Sequence, residues 1–204
     1  ASIYKQGEAA SAADDHRTAA DHFLRIAEVA PGSAIRPAAE FDAGAALIRL
    51  EDWAGAVTVL DAFRTEHPEH ELHEEATKQL AHVYRKQGEL ESAAVEYERI
   101  AAEAGEDELR RDALLEAGEL YAEAGVPARA IGVYERYVER FPEPLELAVE
   151  TRFAIAELHA ELGDAKRQHA QLRTIVAADR RAGTERTDRI RYLAARSALV
   201  LTEG

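Results

Sequence analysis

Five small residues stand at a fixed interval along this chain. Gly7, Gly44, Ala81, Gly118 and Ala156 are separated by 37, 37, 37 and 38 residues. Ala19, Ala56, Ala93 and Ala130 keep the same 37-residue step, and so do Pro31, Pro68, Gly105 and Pro142. A period in this range marks one supersecondary unit repeated and stacked. Each unit then contacts mainly its neighbours, so the chain reads as one quasi-linear array over 1–204 rather than a closed globule. Such an array offers a surface more readily than a catalytic cavity.

Within each unit two helical runs are visible. In 74–108, Thr77, Leu80, Ala81 and Tyr84 recur at the 3–4 spacing of a helix face, and Ala93, Ala94, Tyr97, Ile100 and Ala101 do so again after a break at Gly88-Glu89. The break recurs as Asp14-Asp15, Glu51-Asp52, Gly125-Val126 and Gly163-Asp164. Glycine suits the left-handed residue that closes one helix, and Asp suits the N-cap of the next. Pro after the second helix stops it. Loops this short make consecutive helices antiparallel neighbours. The expected fold is therefore all-α: a right-handed α-solenoid of antiparallel helix pairs. Its units are 1–36, 37–73, 74–110, 111–148 and 149–183, with a lone final helix over 184–202 and about 11 helices in all. The small residues are expected where paired helices approach closely. The larger Phe23, Leu60, Tyr97, Tyr134 and Leu172 of the second helices are expected to fill the space between units. Ile26, Phe63, Ile100, Tyr137 and Ile175 form a further ladder.

These residues resemble the tetratricopeptide repeat family. The fourth unit carries the pattern in Leu114, Ala117-Gly118, Tyr121, Ala130, Tyr134 and Pro142. Departures are Tyr137 at the family's last small position, Glu40 at the opening large one, and Gln168 and Arg180 in place of Ala and Pro in the fifth unit. The resemblance spans roughly Ala1 to Arg181. The long period is also similar to the repeats of bacterial envelope proteins, which inclines the reading toward a periplasmic or envelope location. The chain lacks an initiator Met, and its first residue falls near a repeat boundary, so it is expected to be part of a longer bacterial parent.

The family resemblance implies that the first helices line a concave groove. One row would be Tyr4, Phe41, Lys78, Leu115 and Phe153, and the next would include Glu8, Ala45, His82, Glu119 and Glu157, with Ile48 and Arg85 beyond. This gives aromatic steps, a basic centre at Lys78, His82 and Arg85, and an acidic rim at Glu119 and Glu157. Exposed aromatics rimmed by charge mark partner sites. The alternative is that Phe41 and Phe153 are half-buried cover for adjacent helices. A carboxylate clamp of the family's Lys/Asn/Arg type is not expected, because Phe41 and Ala45 stand where its residues would be needed.

Charge bears on the partner. The net charge is −14, which disfavours nucleic acid, whose binding rests largely on phosphate neutralisation. From Gly163 onward nine basic residues face five acidic ones, so the preceding part is strongly acidic. An acidic surface with little Lys also fits adaptation of the source organism to salt. No apolar run approaches the roughly 20 residues of a membrane span. With no Cys, the compartment is not fixed by redox chemistry.

No catalytic motif is present: no Cys nucleophile, no GxSxG and no Gly-rich phosphate loop. The densest cluster is His67, His70 and His73, interleaved with Glu69, Glu71 and Glu74. Imidazole and carboxylate suit Zn²⁺, but the spacing is one residue short of HExxH, and a solvated turn between units is the preferred reading. No cofactor is expected. The leading function is a protein–protein interaction scaffold that holds a protein or peptide segment in its groove. The alternative is an assembly module acting by weak end-to-end self-association between its acidic body and basic end.

Overall fold

The computed structural model describes residues 2–203, and its regular structure is entirely helical. The helices are α1 (Ile3–Ala12), α2 (His16–Val29), α3 (Arg36–Arg49), α4 (Trp53–Glu66), α5 (His73–Gln87), α6 (Leu90–Glu103), α7 (Asp107–Glu123), α8 (Pro127–Arg140), α9 (Leu145–Glu161), α10 (Ala165–Arg181) and α11 (Asp188–Glu203). A short 3₁₀ turn at Gly183–Glu185 precedes α11. The chain divides into two compact units, one holding α1–α6 and ending at Glu103, the other beginning at Ala104 and holding α7–α11. Among the described residues no helix is long and apolar enough to cross a membrane.

The turn inside each pair repeats in detail. Asp14, Glu51, Gly88, Gly125 and Gly163 all adopt positive φ, between 56° and 74°. The residue after each donates its N–H back to the helix it leaves: Asp15 to Ala10, Asp52 to Leu47, Glu89 to Tyr84, Val126 to Tyr121 and Asp164 to His159, at 2.8–3.0 Å. This six-to-one bond closes a helix around a left-handed residue. The same residue then starts the next helix. Asp15, Asp52 and Asp164 each accept from a backbone N–H three residues on, that of Thr18, Gly55 and Arg167, at 3.0–3.1 Å. Second helices α2, α4 and α8 stop two residues before Pro31, Pro68 and Pro142. At the matching place α10 has Arg180 and runs on to Arg181.

The small residues lie where the paired helices approach closely, as the sequence suggests. A methyl group added at Gly7 would stand 2.6 Å from Phe23 Cε1, at Gly44 2.5 Å from Leu60 Cδ2, and at Gly118 2.2 Å from Tyr134 Cε1. Each of these large residues of a second helix therefore lies over the glycine of its own pair, and it also reaches the next unit: Phe23 shares a core cluster with Ala39 and Ala43 of α3, and Leu60 one with Ala76 and Leu80 of α5. The reason is geometric. Helix axes 8–10 Å apart admit a large side chain only where the facing one is missing. The ladder Ile26, Phe63, Ile100, Tyr137 and Ile175 is core, at 0–4 % exposure. Burial of such side chains stabilises by about 1.5–3 kcal/mol each.

In the first unit the core includes an ion pair. Arg64 on α4 and Glu96 on α6 are both buried, and the guanidinium contacts both carboxylate oxygens, Nη2 to Oε1 at 3.3 Å. Asp61 also accepts from Arg64, at 2.7 Å. In the second unit Ile190, Leu193 and Ala194 of α11 close one cluster with Val149, Phe153, Ala156, Leu172 and Ile175. Val200 and Leu201 pack against that cluster, while Leu199 is exposed.

Candidate functional site

The first helices of the first unit present two adjoining clefts. One, of about 510 Å³, lies between α1 and α3 and is walled by Tyr4, Glu8, Phe23, Asp42, Ala45 and Arg49. The other, of about 390 Å³, lies between α3 and α5 and is walled by Ile48, Arg49, Glu75, Lys78, Gln79 and His82, with Ala45. Ala45 and Arg49 belong to both, so the clefts form one run. The helical period places them there: Asp42, Ala45 and Arg49 fall at 3–4 spacing along α3, as Glu75, Lys78, Gln79 and His82 do along α5.

The electrostatics change along this run. At the α1 end, the Tyr4 hydroxyl donates to Asp42 Oδ2 at 2.6 Å. Burial, then the bond to Asp42, pushes the Tyr4 hydroxyl above the usual phenol range. Burial raises the Asp42 carboxyl too, although the Tyr4 bond opposes it. Glu8 adds a second carboxylate to this end. Toward α5 the wall carries Arg49, Lys78 and His82. Lys78 is held by Glu74 at 2.7 Å, and the His82 ring stands edge-on to Trp53, centroids 6.5 Å apart. Gln79 Oε1 is buried without a hydrogen-bond partner among the described residues.

The structure thus brings together Tyr4, Lys78 and His82 from the predicted rows, with Glu8, Ala45 and Ile48. Arg85 is exposed one turn further along α5. Phe41 lines neither cleft; it is half-buried against Phe63, ring centroids 5.8 Å apart. In the second unit Leu115 is half-buried and Glu119 exposed on α7. Phe153 is only 9 % exposed. It sits in the core closed by α11, with the Arg196 guanidinium 4.8 Å above its ring. As a partner-facing residue it is corrected: α11 covers it. Arg196 also lies 3.7 Å from Glu157, and Arg189 2.5 Å from Glu150. Sequence reasoning missed Asp42, Arg49, Glu75 and Gln79. Their signal was the helical period carried one turn beyond each row.

The three histidines do not converge. His67 Nε2 is 2.8 Å from Glu40 Oε2, His70 Nδ1 accepts from the Leu72 N–H at 3.2 Å, and His73 Nδ1 is 3.8 Å from Glu103. The potential ligand set is instead Glu40, Glu66 and His67, whose donor atoms lie within 4.8 Å of one another. Arg36 already bridges its two carboxylates, bonding Glu40 at 2.6 Å and also Glu66. A guanidinium there supplies the positive charge that a metal ion would bring, so the group is a satisfied ion-pair network.

Comparison with known proteins fits this geometry. Residues 38–70 and 112–144 match the tetratricopeptide repeat model, and the two matches start two periods apart. No curated protein matches the chain in sequence. Among solved structures, the AMB-1 MamA is 12 % identical, with 84 % of this chain and 86 % of that one covered at a TM-score of 0.52. A tetratricopeptide repeat protein from Parabacteroides merdae is 16 % identical, with 98 % and 77 % covered at 0.52. A further MamA structure is 15 % identical, with 89 % and 92 % covered at 0.51. At these identities the likeness is one of fold. The repeated turn, the glycine-seated large residues and the two matched stretches make residues 38–70 and 112–144 tetratricopeptide repeats, in a chain that shares the fold of tetratricopeptide repeat proteins.

Proposed function

We propose that this protein is an interaction scaffold that seats a segment of a protein partner in the adjoining clefts of α1, α3 and α5. Proteins of this fold serve broadly in protein–protein contact and are typically not catalysts. The observation that carries the finer reading is the shared wall at Ala45 and Arg49, which makes one run of two clefts. Three helices at the usual 8–10 Å spacing span about 20 Å, the reach of about six extended residues. The mechanism is preorganisation. The helices are fixed by their own cores, so the occupant bears most of the ordering entropy. Charge sets its direction: basic groups toward Glu8 and Asp42, acidic groups toward Arg49, Lys78 and His82. Leu115 and Glu119 on α7 offer a further contact of the same kind in the second unit.

The test is affinity capture from the source cell with wild type and an Arg49→Glu, His82→Ala double variant. Both side chains are exposed, so the variant remains folded by circular dichroism and loses the partner. Equal capture by the folded variant refutes the reading. The similarity of the long period to bacterial envelope repeats supports an envelope location, and cell fractionation checks it.

A further inference from the structure

A second surface lies on the other unit, on the outer stripe of α10. Arg173, Val176, Ala177, Arg180 and Arg181 follow one another at i, i+3, i+4, i+7 and i+8, and with Leu201 of α11 they wall a cleft of about 600 Å³. Both helices outrun the pattern that precedes them. Second helices α2, α4, α6 and α8 end at Val29, Glu66, Glu103 and Arg140, each 37 residues after the last, and α10 continues three residues past the matching position. First helix α9 ends at Glu161, and α11 runs four residues past its counterpart. The added turns carry Arg180, Arg181, Val200 and Leu201.

The inner repeats show what covers this stripe. Val176 occupies the register position of Arg64 and Val138. Those two are 8 % and 6 % exposed, whereas Val176 is half-buried. Over Arg64 lies a helix, α6, which meets it with the carboxylate of Glu96. Over Val176 no helix lies among the described residues. The arginines there also lack close ion pairs, although Arg180 contributes to the field that lowers the Asp179 carboxyl, after the stronger effect of Arg186. Arg173, Arg180 and Arg181 pair with no acid among the described residues, although Arg181 Nε donates to the Ala177 carbonyl at 3.1 Å. The neighbouring Asp179 is held by Arg186 through two bonds, at 2.6 and 2.7 Å.

We infer that this stripe seats an amphipathic acidic helix of a protein partner, whose carboxylates meet the arginines of α10 as Glu96 of α6 meets Arg64 of α4. Its apolar face would cover Val176, Ala177 and Leu201. Its carboxylates would meet Arg173, Arg180 and Arg181. The stripe spans about 12 Å, some two helical turns. A second copy stacking by its first pair fits less well. The positions of α2 that match Glu96 and Arg99 are His22 and Arg25, which bring no carboxylate to the arginines.

The test uses fluorescence anisotropy with two labelled helical peptides of 14 residues, the length of α6. One has a Leu face flanked by Glu, the other the same face flanked by Lys. The Glu peptide binds, the Lys peptide does not, and binding weakens with salt as screening shortens the reach of the charges. An Arg180→Glu, Arg181→Glu variant loses about tenfold or more in affinity while keeping its helical circular dichroism at the assay temperature, since both residues are exposed and the charge change at the end of α10 costs at most about 1 kcal/mol for each residue. An Arg17→Glu, Arg25→Glu variant on α2 binds as wild type. Equal binding of both peptides, or full affinity in the Arg180/Arg181 variant, overturns the inference. So does loss of peptide binding in the Arg49→Glu, His82→Ala variant, which would place the peptide in the α3–α5 clefts. Sedimentation of the chain alone completes the test. Self-association abolished by the Arg180/Arg181 change would make a second copy the occupant and overturn the choice of partner.

Discussion

Two glycines inside neighbouring helices are predicted to respond oppositely to the same substitution. Gly118 on α7 lies under the Tyr134 ring, where an added Cβ would be 2.2, 2.5 and 2.7 Å from three ring carbons. Carbon contacts are comfortable at about 3.5–4.0 Å, so the ring or the helix must yield by more than about 1 Å. The ring has little room: Tyr134 is buried, and burial pushes its hydroxyl up to about 12. Gly132 on α8 is exposed, and a methyl group added there would meet nothing within 4 Å. Alanine in a helix interior is favoured over glycine by about 1 kcal/mol. Overpacking costs about 1–3 kcal/mol, occasionally more. Gly132→Ala should therefore stabilise by about 0.5–1 kcal/mol, and Gly118→Ala should destabilise by about 1–2 kcal/mol net of the same gain. Urea melts followed by circular dichroism at helical wavelengths separate the two. A Gly118→Ala, Tyr134→Leu double variant recreates the Ala156–Leu172 pairing of the next repeat and should recover most of the loss. Stabilisation by Gly118→Ala alone would refute the account of how paired helices approach in this protein.

The repeated turn gives another test. Glu51 holds φ 56° where three later repeats have glycine, and a left-handed non-glycine residue costs roughly 1–2 kcal/mol. Glu51→Gly is expected to raise stability by about 1 kcal/mol after the unfolded-state entropy of glycine is subtracted; an unchanged or lower melting midpoint would count against it. The buried pair on α4 and α6 should be sensitive to loss of one partner. Glu96→Gln leaves Arg64 buried without its full counter-charge and should cost about 3 kcal/mol, whereas replacing both by Met and Leu should cost far less. Equal losses in a denaturant series would show that the pair itself, rather than the orphaned charge, sets the energy.

Much of the fold was legible in the residues. The turn positions repeat because a left-handed residue and a cap are local needs of every helix end, satisfied by neighbours in the chain. The small residues repeat because every pair must close to the same distance. The site was less legible. Tyr4, Lys78 and His82 fall on the clefts because they follow the helical period from row to row. Phe41 and Phe153 obey the same period, yet one packs on Phe63 and the other lies beneath α11. Aromatic character alone does not tell a core face from an open one.

The sequence by itself determined the period, the helix pairs, the turns and the ladder of buried residues, all of which follow from local geometry repeated at a fixed step. Only the tertiary structure decided which glycine seats which large side chain and that Arg64 finds Glu96, 32 residues away. It also decided that Arg36 bridges Glu40 and Glu66. It left the arginine stripe of α10 uncovered among the described residues. Each of these depends on which helix faces which, and that is set by packing across the unit rather than by any residue's neighbours in the chain.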